Sequence, residues 1–327
     1  MPLRLEKCRS ALRLVSVPQA NSPTRIAVVA TSSAVPQVEL GIGVAHLRAA
    51  GMAVDVQRNC ASQSFVFAGH DQERAEAFYA AAISDQYDVL WCACGGYGSG
   101  RILPLLDRFT VERGKPAAKL LVGFSDATAI MSFVRQRWGW ATTHAPMVIS
   151  KALREMDAVM LRAIARAERP RERWPLHWIG KPPELPIEAD MIGGNLSVWN
   201  SLTGTSFAES AGGRILFLED VDEPPYRIDR MVTQLRSSGR LDGVAAIVLG
   251  GFTECEDRVS QVMSAEDPNR RVPLRRTFTI DEALEQSFGD LGLPVAAGLP
   301  VGHGANTTPL PLGVTYRLDR NGVLTIA

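Results

Sequence analysis

The chain has 327 residues, of which 46% are hydrophobic and 21% are charged, and its 35 basic side chains balance its 35 acidic ones. This length exceeds what one hydrophobic core usually serves and predicts two domains. Nucleic-acid and membrane-surface partners both require an excess of basic residues, so the zero net charge argues against either kind of partner.

The cysteines indicate a reducing compartment. They are five in number and scattered, which does not fit a disulfide framework (Cys8, Cys60, Cys92, Cys94 and Cys255). No stretch is long and apolar enough to span a bilayer, and residues 1–24 lack the apolar core of a secretory signal. We therefore expect a cytoplasmic protein in which residues 1–24 form a poorly ordered leader.

The first half of the chain alternates strand and helix patterns. In chain order they predict a strand at residues 25–30, a helix at 38–50, a strand at 53–56, a helix at 71–84, strands at 88–94 and 120–123, and a helix at 126–138. Such alternation predicts a parallel sheet covered by helices on both faces. The loops that follow the strands then lie along one edge of that sheet.

The pattern changes after residue 165. Residues 166–188 are rich in Arg, Glu, Pro and Trp without a clear period, which predicts a linker between domains 25–165 and 189–327. Beyond it, we predict a helix at 196–202, a strand at 214–218, a helix at 226–237, strands at 244–249 and 295–297, and a hairpin turning at Asn321-Gly322. The second domain is thus predicted to be mixed α/β with a curled sheet.

One serine lies where an apolar strand runs into a helix. The segment Gly123-Phe124-Ser125-Asp126-Ala127 has the strand–turn–helix context of a nucleophile elbow, although Ala127 stands where the G-x-S-x-G pattern has its second glycine. A plain helix-capping serine is the alternative, and the motif alone favours it.

A glycine-rich loop at residues 94–100 (CGGYGSG) also follows a strand and precedes a helix. Its backbone N–H groups could hold an anion, but it matches neither the Walker pattern nor the dinucleotide pattern. An oxyanion hole remains possible, with one donor from this loop and another from the amide after Ser125. A tight turn that requires positive φ angles is a serious competing interpretation.

A serine nucleophile needs a base and an orienting carboxylate. Of the five histidines, His303 lies in an exposed Gly-His-Gly turn and His144 follows a short strand and could line a pocket, whereas His46, His70 and His177 are less suitably placed. Glu219 ends an apolar strand, but Asp220, Asp222 and Glu223 follow so closely that composition does not choose among them. No H-E-x-x-H motif or ligand cluster occurs, so we expect neither a metal nor another cofactor.

Five blocks in order make the chain resemble the LD-carboxypeptidases (muramoyltetrapeptide carboxypeptidases), a serine peptidase family that includes the microcin C immunity peptidases. The blocks are GGYGSGRILPLLD (95–107), GFSDATA (123–129), IGGNLS (192–197), ILFLEDVDEPPYRIDRM (215–231) and GLPVGHG (298–304). The resemblance implies a flavodoxin-like N-terminal domain and a C-terminal domain with a curled, barrel-like sheet.

The resemblance also implies roles for particular residues. The triad consists of Ser125, Glu219 and His303, and Gly96 and Asp126 supply the amides of the oxyanion hole. Asn195 and Tyr97 are candidate substrate contacts, and capping of the next helix is an equally good interpretation of Asn195. Two positions depart from the family pattern: Cys94 stands where Arg is frequent, and Ala145 replaces the glycine of an H-G-P step.

The implied reaction is hydrolysis of the amide between an L-centred residue and a terminal D-amino acid, with D-Ala release from a murein tetrapeptide as the leading form. A peptidase that inactivates a peptidyl-nucleotide antibiotic is the close alternative, with Trp174 or Trp178 as a possible wall for adenine. A non-catalytic binding module is the alternative from another class. Family analogy further predicts a homodimer.

Overall fold

A computed structural model describes residues 23–168, 171–256, 261–267, 269–273, 279–305 and 307–327. The leader predicted for residues 1–24 therefore lies, except for its last two residues, outside the described part of the chain. No helix within these ranges combines the length and the apolar character needed to cross a membrane.

The first part of the chain alternates strands and helices, as predicted. Its elements are β1 (Arg25–Val29), α1 (Gln37–Ala49), β2 (Ala53–Val56), α2 (Asp71–Ile83), β3 (Val89–Cys92), α3 (Ser99–Arg113), β4 (Leu120–Gly123), α4 (Thr128–Phe133), β5 (Ala141–His144), α5 (Lys151–Glu155) and α6 (Ala158–Ala165). Every residue of β3 and β4 is buried, because helices cover both faces of the sheet.

The second part has more strands and fewer helices. Its elements are β6 (Trp174–Pro175), β7 (His177–Trp178), β8 (Ile187–Asn195), α7 (Leu196–Ser201), β9 (Ile215–Val221), α8 (Pro225–Ser237), β10 (Ala246–Thr253), β11 (Gln261–Met263), β12 (Arg271–Pro273), α9 (Ile280–Phe288), β13 (Val295–Ala297), β14 (Leu310–Leu312), β15 (Val314–Leu318) and β16 (Val323–Ile326).

The first sheet has the order β14-β5-β4-β3-β1-β2, in which β1 to β5 are parallel and β14 is antiparallel. The parallel core has the 2-1-3-4-5 order of flavodoxin-like folds, so the predicted fold of this part is confirmed. The strand order reverses between β1 and β3. Loops at the carboxyl ends of the strands form a crevice at such a point, and ligands bind there.

The second sheet has eight strands in the order β6-β16-β15-β8-β9-β10-β13-β7. Strands β6 and β7 form its two opposite edges, yet only Leu176 separates them along the chain. The sheet must therefore curl until its edges almost meet, which confirms the predicted barrel-like form.

The predicted linker differs from the structure. Residues 174–178 pair with β16 and β13 and belong to the second sheet, and the side chain of Trp174 is 5% exposed. The segment showed no period because its strands are only two residues long. The boundary at residue 189 does not separate the sheets cleanly either, since β14 crosses back to pair with β5 of the first sheet.

A buried ion pair joins the two parts. The guanidinium of Arg135 lies in the π-helical turn after α4, and its Nη2 is 2.7 Å from Glu209 Oε2; both side chains are 3% exposed. Arg135 Nη1 also donates to Thr142 Oγ1 on β5, at 2.8 Å. Breaking a buried pair from one side leaves a charge without its counterion in a water-poor site.

We therefore expect Glu209→Ala to lower the free energy of unfolding by about 3–5 kcal/mol, because it leaves Arg135 buried and uncompensated. The control is Glu76→Ala. This substitution removes the partner of Arg113 in a pair whose side chains are 43% and 40% exposed, and such pairs contribute about 1 kcal/mol or less. Urea unfolding followed by circular dichroism measures both variants. Equal losses would contradict the interdomain role of Arg135.

Candidate active site

Ser125 occupies a strained turn between β4 and α4. Its φ angle is +58°, a left-handed conformation that a residue with a side chain rarely adopts. A single 3-10 turn, Ser125–Ala127, connects the strand to the helix. The structure therefore has the sharp strand-to-helix turn of a nucleophile elbow and not an ordinary helix cap.

The glycine loop lies directly against this serine. A Cβ atom added to Gly95 would be 3.2 Å from Ser125 Oγ, and Gly96 has a φ angle of +98°. Each position needs glycine for its own reason: a side chain on Gly95 would crowd Ser125, and the backbone conformation of Gly96 is one that residues with a side chain rarely adopt. The structure thus brings the loop that contains Gly96 and Tyr97 beside the Ser125 hydroxyl.

Side chains behind the loop fix its position. The buried Asp126 carboxylate accepts a hydrogen bond from the amide of Ser99 at 2.8 Å, and Ser33 Oγ accepts one from the amide of Tyr97 at 3.1 Å. Arg74, which is fully buried, donates to the Gly98 carbonyl at 2.9 Å. Neither Arg74 nor Ser33 was predicted from the sequence, because they lie 24 and 64 residues from the loop residues that they contact.

The second part of the chain brings a carboxylate and an imidazole to the same place. His303 Nδ1 lies 2.7 Å from Glu219 Oε2; the Glu219 side chain is fully buried and that of His303 is 15% exposed. A Cβ atom added to Gly302 (φ +143°) would lie 3.1 Å from the same oxygen, so glycine lets the His303 loop approach the carboxylate. Glu219 lies within β9, which extends to Val221 and beyond the predicted strand end at residue 218.

Phe124 links the two groups of residues. Its ring centroid is 4.6 Å from that of His303 and 5.4 Å from that of His144. Because Phe124 immediately precedes Ser125, this packing places His303 beside the serine turn. Glu219 and His303 of the second part are therefore in contact with each other and lie next to the turn of the first part that carries Ser125.

A second histidine reaches Glu219 from the first sheet. His144 Nε2 lies 3.5 Å from Glu219 Oε1, and the His144 side chain is 1% exposed. From the sequence, His144 was expected to line a pocket, and this contact was not predicted. The H-A-P step that begins at the last residue of β5 was the signal in the sequence. Two of the other histidines have partners elsewhere: His46 Nε2 contacts the Met156 carbonyl and His70 contacts Ser64. His177 lies in β7.

The ionisation of Glu219 follows from these contacts. Burial alone raises the pKa of this carboxyl group, but His144 and His303 stabilise its charged form more strongly, and the pKa falls to about 2. Glu219 is therefore ionised at all physiological pH values and can orient a neighbouring imidazole.

The two candidate substrate contacts differ in their surroundings. Asn195 caps α7: its side chain accepts from the Val198 amide at 3.1 Å and donates to Asp220 Oδ1 at 2.8 Å, and the residue is 4% exposed. Of the two interpretations that the sequence left open, the structure gives Asn195 the capping role. A substrate contact would have to displace one of these bonds, so it stays a prediction. Tyr97 is 58% exposed on the glycine loop.

Within the described ranges, no three His, Cys, Asp or Glu side chains come together as the ligands of a metal ion would.

The chain matches two family models in succession. Residues 26–145 match the LD-carboxypeptidase N-terminal domain and residues 188–318 match the LD-carboxypeptidase C-terminal domain. It is 35% identical to a putative carboxypeptidase of Streptomyces coelicolor over 92% of this chain and 93% of the relative. It is 29% identical to the murein tetrapeptide carboxypeptidase of Pseudomonas aeruginosa over 91% of this chain and 94% of that protein.

A comparison with solved structures gives the same family. The muramoyltetrapeptide carboxypeptidase of Oxalobacter formigenes superposes with a TM-score of 0.71 and 29% identity, covering 92% of this chain and 97% of that one. The microcin C7 self-immunity protein of Escherichia coli is a more distant relative, 24% identical over 85% of this chain and 84% of its own length. Two family models that together span most of the chain, and a relative at 35% identity, establish that this protein belongs to the LD-carboxypeptidase family and is a peptidase.

Proposed function

We propose that this peptidase is a serine-type LD-carboxypeptidase that releases the terminal D-Ala from a murein tetrapeptide. The observation that carries the proposal is the 2.7 Å contact between His303 and Glu219, which is packed through Phe124 against the strained turn of Ser125. We take the substrate from the relatives of Pseudomonas aeruginosa and Oxalobacter formigenes, which are named as carboxypeptidases of the murein tetrapeptide and of muramoyltetrapeptide.

In the proposed reaction, Ser125 Oγ attacks the carbonyl carbon of the scissile amide while His303 takes the hydroxyl proton. The ionised Glu219 accepts a hydrogen bond from Nδ1 of His303, which leaves Nε2 of the same ring free to accept that proton. Glu219 also stabilises the imidazolium that forms. His303 then gives the proton to the amine of the leaving D-amino acid. A water molecule, deprotonated by the same imidazole, hydrolyses the acyl-enzyme and restores Ser125.

The negative oxygen of the tetrahedral intermediate needs donors that are already in place. We assign these to the amides of Gly96 and Asp126, because the neighbouring Gly95 lies so close that an added Cβ would be 3.2 Å from Ser125 Oγ, and Asp126 directly follows that serine. The Asp126 side chain supports both donors, since its hydrogen bond to the Ser99 amide ties the turn to the end of the loop.

The alternative substrate, a peptidyl-nucleotide, has less support. Trp174, one of the two tryptophans considered as a wall for adenine, is 5% exposed and packs against Tyr316 inside the second sheet, so its ring is not free to stack on a base. Trp178, the other, is half-buried and donates from Nε1 to the Arg320 carbonyl at 3.1 Å. Similarity to the microcin C7 self-immunity protein keeps this substrate as the second one to test.

The first test is D-Ala release from murein tetrapeptide by the native protein and by Ser125→Ala, each with and without EDTA. We expect release that survives EDTA and falls by at least roughly 10³-fold in the variant, because no other described group replaces the nucleophile. Ser237→Ala, an exposed serine at the end of α8, is the control and should act like the native protein. An active Ser125→Ala protein would refute the serine mechanism. If the native protein releases no D-Ala from the tetrapeptide, the proposed substrate is wrong.

A second prediction concerns the Asp126 side chain. Asp126→Ala should lower kcat roughly 10–100-fold with little change in KM, because the glycine loop loses the acceptor that holds it in the productive geometry. Asp126→Asn retains an acceptor oxygen for the Ser99 amide and should stay within about 3-fold of native. Steady-state kinetics on the tetrapeptide measures both variants. An equal loss of kcat in the two would contradict positioning through the hydrogen bond between Asp126 and the Ser99 amide.

A third prediction concerns pH and stability. The pKa of Glu219 is lowered from its ordinary 4.5 to about 2 in the folded protein, so ionised Glu219 stabilises the fold above pH 4.5, and this contribution is lost as pH falls through about 2. The unfolding free energy of the native protein should therefore drop toward that of Glu219→Gln over this interval. Urea unfolding of both proteins between pH 5 and pH 2 measures the difference. A constant difference would mean that Glu219 is not held ionised.

A further inference from the structure

The triad mechanism uses only one of the two oxygens of Glu219. Oε2 faces His303, whereas Oε1 has no hydrogen bond to any described residue that meets ordinary geometry. The side chain is fully buried, so water does not compensate freely for a missing partner. A buried carboxylate oxygen without a hydrogen-bond donor destabilises the folded state, so the group nearest to Oε1 is of interest.

His144 is the neighbour of Oε1. Its Nε2 lies 3.5 Å away, long for a hydrogen bond but close enough for a strong charge–dipole interaction at a water-poor site. The ring is held between Phe124 and Phe217, with ring centroids 5.4 Å and 5.3 Å away. Neither ring nitrogen of His144 has a hydrogen bond elsewhere in the described part of the chain. Nε2 is the ring nitrogen that faces the carboxylate, so a proton there would stabilise the charge on Oε1.

The position of His144 in the fold gives this contact a further effect. His144 ends β5 and pairs in register with Gly123, the last residue of β4, two residues before Ser125. Glu219 belongs to β9 of the second sheet. The imidazole thus connects the carboxylate of one sheet to the strand pair that carries the serine of the other sheet.

We propose that His144 is a positioning residue that donates from Nε2 to Glu219 Oε1, fixes the rotation of the carboxylate so that Oε2 faces His303, and aligns the two halves of the triad across the domain boundary. The His144 side chain is 1% exposed and acts through Glu219. The inference rests on the proposed triad and extends it by a fourth residue.

The matched variants are His144→Gln and His144→Met. Glutamine can place an amide N–H near the position of the lost Nε2 but does not become a cation, whereas methionine fills a similar volume and donates nothing. Misplacement of a reacting group by about 1 Å can lower the rate by roughly 100-fold. We therefore expect kcat of His144→Met to fall roughly 10–100-fold with KM within about 3-fold of native, and His144→Gln to recover most of the loss.

The companion readout is independent of the substrate. The short hydrogen bond between His303 and Glu219 should give a downfield proton resonance, assigned by its loss in His303→Gln. This resonance should shift or broaden in His144→Met and persist in His144→Gln, with unchanged circular dichroism for both. If the tetrapeptide proves not to be the substrate, the resonance still tests His144 by itself.

Three results would overturn the proposal. The first is an unchanged resonance in His144→Met, and the second is its absence from the native protein. The third is an equal loss of kcat in both His144 variants, which would indicate that the imidazole contributes packing only. A methionine variant that unfolds while the glutamine variant keeps native activity and the resonance would still support a required donor at this position.

Discussion

A single buried carboxylate holds the site together. Glu219 lies on the second sheet without exposure to solvent, and two histidines from different parts of the chain converge on its two oxygens. A charge in such a place is tolerable only when donors surround it. The need to satisfy this one group therefore constrains the His303 loop, the end of β5 and, through both, the relation of the two sheets.

The serine side of the site is held by strain and by hydrogen bonds. Ser125 has a left-handed backbone conformation that only its surroundings can maintain, and the facing loop needs glycines to come close. Asp126, Ser33 and Arg74 fix that loop from behind. Such rigidity suits a site whose proposed oxyanion donors must be in place before charge develops.

Several features of the fold were recoverable from local sequence. The alternation of apolar strands and helices predicted a parallel sheet covered on both faces, and the family resemblance added that it is flavodoxin-like. The apolar runs of the second half predicted most of its core strands. Helix α9 was missed although Thr279 and Glu282 form a capping box that the sequence displays. The two-residue strands of the predicted linker carried no period to recognise, because periodicity requires several residues.

The sequence by itself determined which side chains could do chemistry. A serine between strand and helix, a glycine loop, a histidine between glycines and a run of acids after an apolar strand were all visible, and the resemblance to the LD-carboxypeptidases selected Glu219 from that run. Tertiary structure alone decided what these groups contact. The pairing of His303 with Glu219 joins residues 84 positions apart, and that of His144 with Glu219 joins two sheets. Neither pairing follows from local pattern, because burial and distance arise only when the strands pack.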